Sequence, residues 1–189
     1  MSLLQFNFDP QKATIAGKPR LERRLSDLEG VYSDPVAYQN ALKEDNPVVY
    51  TVSSVEDYNQ PGDLQFGLGC LMPGKVGGEY YMTKGHLHTW LEAAEVYIGL
   101  AGEGLMLLEN PKEVWAVELK ANTVVYVPGG TAHRTVNTGS VPLLYWGIYP
   151  AGAGHDYESI RQKNFRQVVL EQAGKPAVLE RSKLLTQRV

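Results

Sequence analysis

From Pro47 onward the chain alternates short apolar, β-branched and aromatic runs with Gly, Pro and Asn: VVYTV, LQFGLGCLM, GEYYMT, EVYIGLAG, LMLLE, WAVEL, TVVYV, HRTVNT and PLLYWGIY. Runs of this length and content suit β-strands, and the residues between them suit turns. No amphipathic stretch of helical length alternates with the runs, which excludes a parallel sheet with helical crossovers. The pattern predicts an all-β barrel or double-sheet jelly roll. Residues 1–46 are richer in charge and are expected to form a short N-terminal arm packed on the barrel. Within the arm, Asp34 and Pro35 ahead of VAYQNALKED predict a short helix, with an aspartate N-cap and a proline in the first turn. Residues 47–189 are then the barrel and a C-terminal extension, where a glycine-rich turn, AGAGHDY, precedes a small helix predicted in YESIRQKNFRQVV and a polar tail. The length of 189 residues fits one domain.

Charge and cysteine content narrow the function classes. With 18 Lys and Arg against 21 Asp and Glu, the net charge of -3 gives no basic field for nucleic acid or an anionic membrane surface. An anionic ligand would have to be gripped locally. The single cysteine, Cys70, has no partner for an internal disulfide and sits among apolar and glycine neighbours, where it reads as buried filler. The N-terminal residues do not resemble a secretory signal, and no apolar run approaches the roughly 20 residues of a membrane span, so a cytoplasmic location is expected.

The chemistry concentrates in the histidines. Of four, three fall in two short segments: His86 and His88 in KGHLH, and His133 in PGGTAHRTVN. Along a strand, residues i and i+2 point to one face, so His86 and His88 would present both imidazoles together. Glu95 opens the following run, and an antiparallel partner strand is expected to bring its carboxylate to the pair. His133 would arrive on a further strand after the turn Pro128-Gly129-Gly130. Gly85, Gly102 and Gly130 are placed to take positive φ where strands turn at the rim. A lone histidine in a β protein is ordinarily a hydrogen-bonded polar residue. Three that converge with a glutamate make a metal site, and this donor set suits one divalent ion per subunit, Fe, Mn, Ni, Co or Zn, without deciding among them; iron is the first expectation. By contrast, Trp90, Trp115 and Trp146 read as barrel packing, and RLERR at 20–24 reads as a solvated face.

On these residues the chain resembles the cupin superfamily. His86, His88, Glu95 and Gly102 follow its first motif, and Pro128, Gly130, His133 and Asn137 its second. Tyr80 and Asn122 stand where the leading glycine of each motif would be. The generic spacing would choose Glu92 with Gly99. The longer gap in TKGHLHTWLEAAEVY, however, is similar to that of the cupin-type glucose-6-phosphate isomerases of archaea and some bacteria, which points to Glu95. The segments RRLSDLEG, NPVVYTV, GDLQFG, PGKVG, TVVYVPGGTAHRTVN and YPAGAGHDY agree with that family in the same order.

The resemblance implies a cupin double-stranded β-helix, a homodimer, and an isomerase that interconverts glucose 6-phosphate and fructose 6-phosphate in glycolysis and gluconeogenesis. It makes Glu95 both a metal ligand and the proton-transferring base, and lets His155 assist ring opening. It places Tyr50, Tyr97 and Tyr157 along the sugar, and Thr83, the backbone of Gly85 and Tyr149 on the phosphate. A further phosphate-binding threonine of relatives aligns with Gly69. Strict strand alternation would put Lys84, rather than Thr83, on the histidine face unless Gly85 interrupts the register, and Lys84 receives no role. Two rival readings stand beside this one. A metal-dependent cupin oxygenase or oxalate-type enzyme would use the same donors for oxygen chemistry, and a non-catalytic sugar-binding cupin would use the barrel alone.

Overall fold

The computed structural model describes residues 5–186. A small hairpin of β1 (Phe8–Asp9) and β2 (Thr14–Ile15) leads into β3 (Arg20–Arg24), a turn of 3-10 helix at Leu25–Leu28, and α1 (Pro35–Glu44). The barrel strands follow: β4 (Val48–Val55), β5 (Leu64–Leu71), β6 (Lys75–Val76), β7 (Glu79–Tyr80), β8 (Glu95–Ala101), β9 (Glu103–Glu109), β10 (Val114–Lys120), β11 (Val124–Val127), β12 (Ala132–Asn137) and β13 (Leu143–Pro150). Then come α2 (Tyr157–Lys163), β14 (Gln167–Gln172), β15 (Lys175–Glu180) and α3 (Arg181–Thr186).

A six-stranded sheet in the order β11-β8-β13-β5-β4-β3 faces a three-stranded sheet, β10-β9-β12, and all pairings are antiparallel. This is the double-sheet barrel that the strand pattern predicts, in the double-stranded β-helix form that the resemblance implies. The sheets are joined by one apolar core in which Leu71 and Val49 of the larger sheet meet Met106, Leu107, Leu119 and Val136 of the smaller, each at most 1% exposed. Burying each such side chain contributes roughly 1.5–3 kcal/mol, so closure of the barrel is dominated by this layer. Asn137 closes the end of β12: its side-chain amide donates to the carbonyls of Leu71 and Val141, and its oxygen accepts from the Gly139 amide.

The helix at Pro35 forms as predicted, with the Asp34 carboxylate accepting from the amides of Val36 and Ala37. Gly85, Gly102 and Gly130 take φ of 73°, 74° and 71°. Elsewhere the structure departs from the sequence reading. The N-terminal arm is not wholly outside the barrel: Arg20–Arg24 pairs with β4 as the edge strand of the large sheet. Its alternating charges keep that edge polar, a common safeguard against further strand pairing. In the GEYYMT run only Glu79–Tyr80 is strand. The helix predicted at Tyr157 stops at Lys163, because FRQVV turns into β14, which pairs with β15 and, through Leu170, with β7. The polar tail is therefore largely a hairpin. Trp146 packs edge-on against Phe8 and Phe66, and Trp115 packs on the core, but Trp90 is 48% exposed and packs no barrel interior. Cys70 is buried among apolar residues, and that burial pushes its thiol pKa up.

Candidate metal centre

The site lies between the two sheets, and each side chain reaches it from a different segment. Glu95 is the first residue of β8 in the large sheet, whereas His133 projects from β12 in the small one. The KGHLH segment lies beside β12, where His86 and His133 exchange backbone hydrogen bonds, rather than beside β8. The carboxylate thus meets the histidine pair from the facing sheet, and not from an antiparallel neighbour as the spacing suggested.

Glu95 Oε2 is 2.9 Å from His133 Nε2, 3.3 Å from His88 Nε2 and 3.9 Å from His86 Nε2. One donor atom from each of the four residues falls within 4.8 Å of the others. These same four atoms are buried polar atoms without a hydrogen-bond partner. The opposite ring nitrogens explain the orientation. His88 Nδ1 donates to the Ala93 carbonyl at 3.0 Å and His133 Nδ1 to the Thr131 carbonyl at 3.1 Å. Each bond fixes the tautomer and turns the Nε2 lone pair toward the common point, as in histidine ligation of metals.

Burial alone would raise the Glu95 pKa, but His133 and His88 outweigh it and hold the carboxyl well below its ordinary range. Burial pushes His86 down, and the neighbouring His133 adds to the effect. For His88, burial also acts downward, but the Glu95 carboxylate beside it and the Ala93 carbonyl reverse the sign. The donor set is thus anionic at one corner and neutral at another. Four unpartnered donors converging in a buried pocket would be costly unless a cation satisfied them, and three imidazoles with one carboxylate fit a first-row divalent ion. Among the described residues this is the cluster able to hold a metal ion.

The donors open onto a cavity of about 210 Å³. Its wall includes Tyr50, Thr83, Gly85, Tyr97, Tyr149, His155 and Tyr157, every further residue singled out from the sequence. His88 lies behind the wall. The His155 ring stacks on Tyr157 at 5.7 Å and 13° and stands 4.5 Å from the His86 ring. Burial lowers its pKa, so the imidazole is neutral near pH 7. Burial also pushes the Tyr50 hydroxyl up to about 12 and raises Tyr97, Tyr149 and Tyr157, which keeps this wall in its phenol form. Tyr149 Oη lies 3.4 Å from Glu56 Oε1.

Gly85 resolves the alternation of its neighbours. Its left-handed φ breaks the register, so Thr83 lines the metal cavity while Lys84 lines a separate cavity behind it. A Cβ at position 85 would stand 2.6 Å from the Phe165 ring, so glycine is required for space as well as for φ. Thr83 Oγ1 accepts from the Thr135 amide at 3.1 Å, leaving its proton free for the cavity.

Sequence reasoning missed much of the large-sheet wall: Val52, Ser54, Glu56, Gly67, Tyr145 and Gly147. These follow a cross-strand rule. Tyr145 of β13 lies opposite Gly69 of β5, and Gly147 lies between Gly67 and Tyr97, so large rings alternate with glycines and leave a hollow. The period-two glycines of LQFGLGC were the available signal.

Comparison with known proteins places these features in a family. Residues 22–183 match the family model described as glucose-6-phosphate isomerase. The chain is 47% identical over 175 residues to the glucose-6-phosphate isomerase of Thermococcus kodakarensis, covering 92% of each chain. It is 45% identical to that of Pyrococcus horikoshii over 91% of this chain and 92% of the relative. A bacterial relative, the glucose-6-phosphate isomerase of Sinorhizobium medicae, is 43% identical over 78% of this chain and 70% of its own length. Among solved structures, an oxalate oxidase overlaps 59% of this chain and 56% of its own with a TM-score of 0.49 and 15% identity, too distant to carry a comparison.

Proposed function

This chain belongs to the glucose-6-phosphate isomerase family, and from that premise we propose that it interconverts glucose 6-phosphate and fructose 6-phosphate with a divalent ion held by His86, His88, Glu95 and His133. The observation that carries the metal dependence is the convergence of four buried, unpartnered donor atoms on one point of the substrate cavity. The ion would supply Lewis-acid polarisation of the sugar oxygens at C1 and C2, a role that needs no change of redox state.

The remaining chemistry falls to the side chains. Glu95 divides its carboxylate: Oε2 faces the imidazoles, and Oε1 lies against Gly147, where a Cβ would stand 2.7 Å from it. Oε1 is therefore the atom placed to take a proton from one sugar carbon and return it to the other. Tyr97, beside that carboxylate, orients it and lines the sugar. His155, neutral and stacked on Tyr157, is placed to shuttle the hydroxyl proton of ring opening. Tyr50, buried in the wall, and the more exposed Tyr157 flank the sugar. Thr83, the backbone of Gly85 and Tyr149 are assigned to the phosphate, with Tyr149 drawn between that role and its contact with Glu56. We read the working unit as a cytoplasmic homodimer on the family resemblance, and a monomer by light scattering would contradict that.

The test is a coupled assay. Metal-stripped protein receives fructose 6-phosphate, and glucose 6-phosphate is followed through NADP reduction with and without Fe, Mn, Ni, Co or Zn. Metal-restored turnover that disappears in His88→Ala is the expected result. Turnover undiminished after metal removal would overturn the metal assignment.

A further inference from the structure

The metal cavity has a chemical peculiarity. Glu56 and Glu95 lie on its wall, yet the wall contains no lysine or arginine among the described residues. Arg23 stands outside this lining and hydrogen-bonds the Tyr50 hydroxyl, so the direct contacts that the wall offers a sugar phosphate come from hydroxyls, imidazoles and amides.

Tyr145 supplies a hydroxyl that the functional reading above leaves unused. Its side chain is 6% exposed, lines the cavity and packs at 5.5 Å against the Tyr97 ring. Its neighbour on the other side is Gly69, its cross-strand partner. The ring lies directly across this glycine: a Cβ at position 69 would collide with the ring carbons and stand 2.7 Å from Oη. The phenol therefore reaches its position only because residue 69 lacks a side chain. At the hydroxyl end, the Thr135 side chain hydrogen-bonds to Tyr145, and the Thr135 amide donates to Thr83 Oγ1. Tyr145 and Thr83 thus sit on either side of Thr135, which occupies their shared flank. Both residues line the cavity, and both are held by Thr135, Tyr145 through its side chain and Thr83 through its amide.

Granted the isomerase reading, we propose that Tyr145 donates its hydroxyl to the phosphate of the substrate and that Gly69 and Tyr145 act as a matched pair, the glycine making the space that the tyrosine fills. Strand β13 thereby places a hydroxyl over a position of β5 that carries no side chain. Specificity for a phosphorylated sugar then depends on a tyrosine as well as on Thr83.

Tyr145→Phe keeps the ring and its packing and removes only the oxygen, so it separates hydrogen bonding from fold. In metal-loaded protein it should raise the KM for fructose 6-phosphate about tenfold, and weaken inhibition by inorganic phosphate about as much, with a smaller change in kcat. Gly69→Ala, which displaces the ring with its hydroxyl intact, should move both quantities in the same direction. Unchanged phosphate inhibition in Tyr145→Phe, or a loss confined to kcat, would overturn the proposal by placing the hydroxyl away from the phosphate. A Gly69→Ala variant with unaltered KM would overturn the pairing. A wild type that binds metal without turning over fructose 6-phosphate would defeat the isomerase reading first, and this inference with it.

Discussion

Two cavities share a wall at Gly85 and Tyr157, and their contents differ. The inner one, about 210 Å³, holds the histidines and Glu95. The outer one is larger, about 540 Å³, and includes Lys84, Arg134 and Arg161 in its lining. Strand β12 serves both, with His133 facing inward and Arg134 outward. The outer polar groups are mostly engaged. Arg134 Nη1 donates to Asn164 Oδ1 at 3.0 Å and Nη2 to the Lys84 carbonyl, its guanidinium lies 4.4 Å from the Phe165 ring, and Arg161 is paired with Glu158. The inner groups leave four donor atoms unpaired and aimed at one place. Volume alone would select the outer cavity as the functional one. Single unpaired atoms occur elsewhere too, Arg134 Nε in the outer cavity among them, but only the inner cavity, among the described residues, gathers four within 4.8 Å of one another, and that convergence selects it.

If the two faces divide the work in this way, inner substitutions should cost activity and outer ones stability. The largest effect is expected for Glu95→Gln, which keeps the shape of the side chain but removes a charge and a proton acceptor. Turnover of fructose 6-phosphate should fall by at least roughly a thousandfold in the coupled assay, with the fold intact by circular dichroism. On the outer face, Arg134→Met should destabilise by about 3 kcal/mol, since it strands the Lys84 carbonyl and takes from Asn164 Oδ1 one of its two donors, the Phe165 amide being the other. Denaturant titration at constant metal concentration measures it. Stripping the metal should remove about 2.7 kcal/mol of stability if the ion had been present at a hundred times its dissociation constant. Thermal melts with and without chelator should show that difference in wild type and lose it in His133→Ala. Smallest of all, Lys84→Ala should change kcat/KM by less than about threefold, because its side chain faces the outer cavity. A larger loss would mean that the wall at Gly85 does not separate the two.

The divide between legible and hidden features follows from what each depends on. The convergence of His86, His88, Glu95 and His133 is readable because histidine is scarce in this chain and strand periodicity limits where side chains point. The strand runs themselves are readable for the same reason. Hidden features depend on register between distant strands. Nothing local in YWGIY says that Tyr145 will lie over Gly69, since this requires knowing that β13 pairs with β5 in that alignment. Likewise, RLERR carries no apolar face, yet it is a strand because β4 offers it an edge. FRQVV reads as the continuation of a helix, but Asn164, at φ 54°, ends α2, and β15 and β7 then draw the chain into a sheet. At Gly85 a single left-handed residue reverses the faces of Thr83 and Lys84, which the alternation rule alone would assign the other way.

The central claim is that the four inner donors bind one metal ion, and anomalous X-ray scattering from crystals of metal-loaded protein, collected at the absorption edge of the bound element, tests it most directly. The account predicts one strong peak per chain, bounded by the Nε2 atoms of His86, His88 and His133 and by a carboxylate oxygen of Glu95. No peak there, or a peak held by other residues, would contradict it.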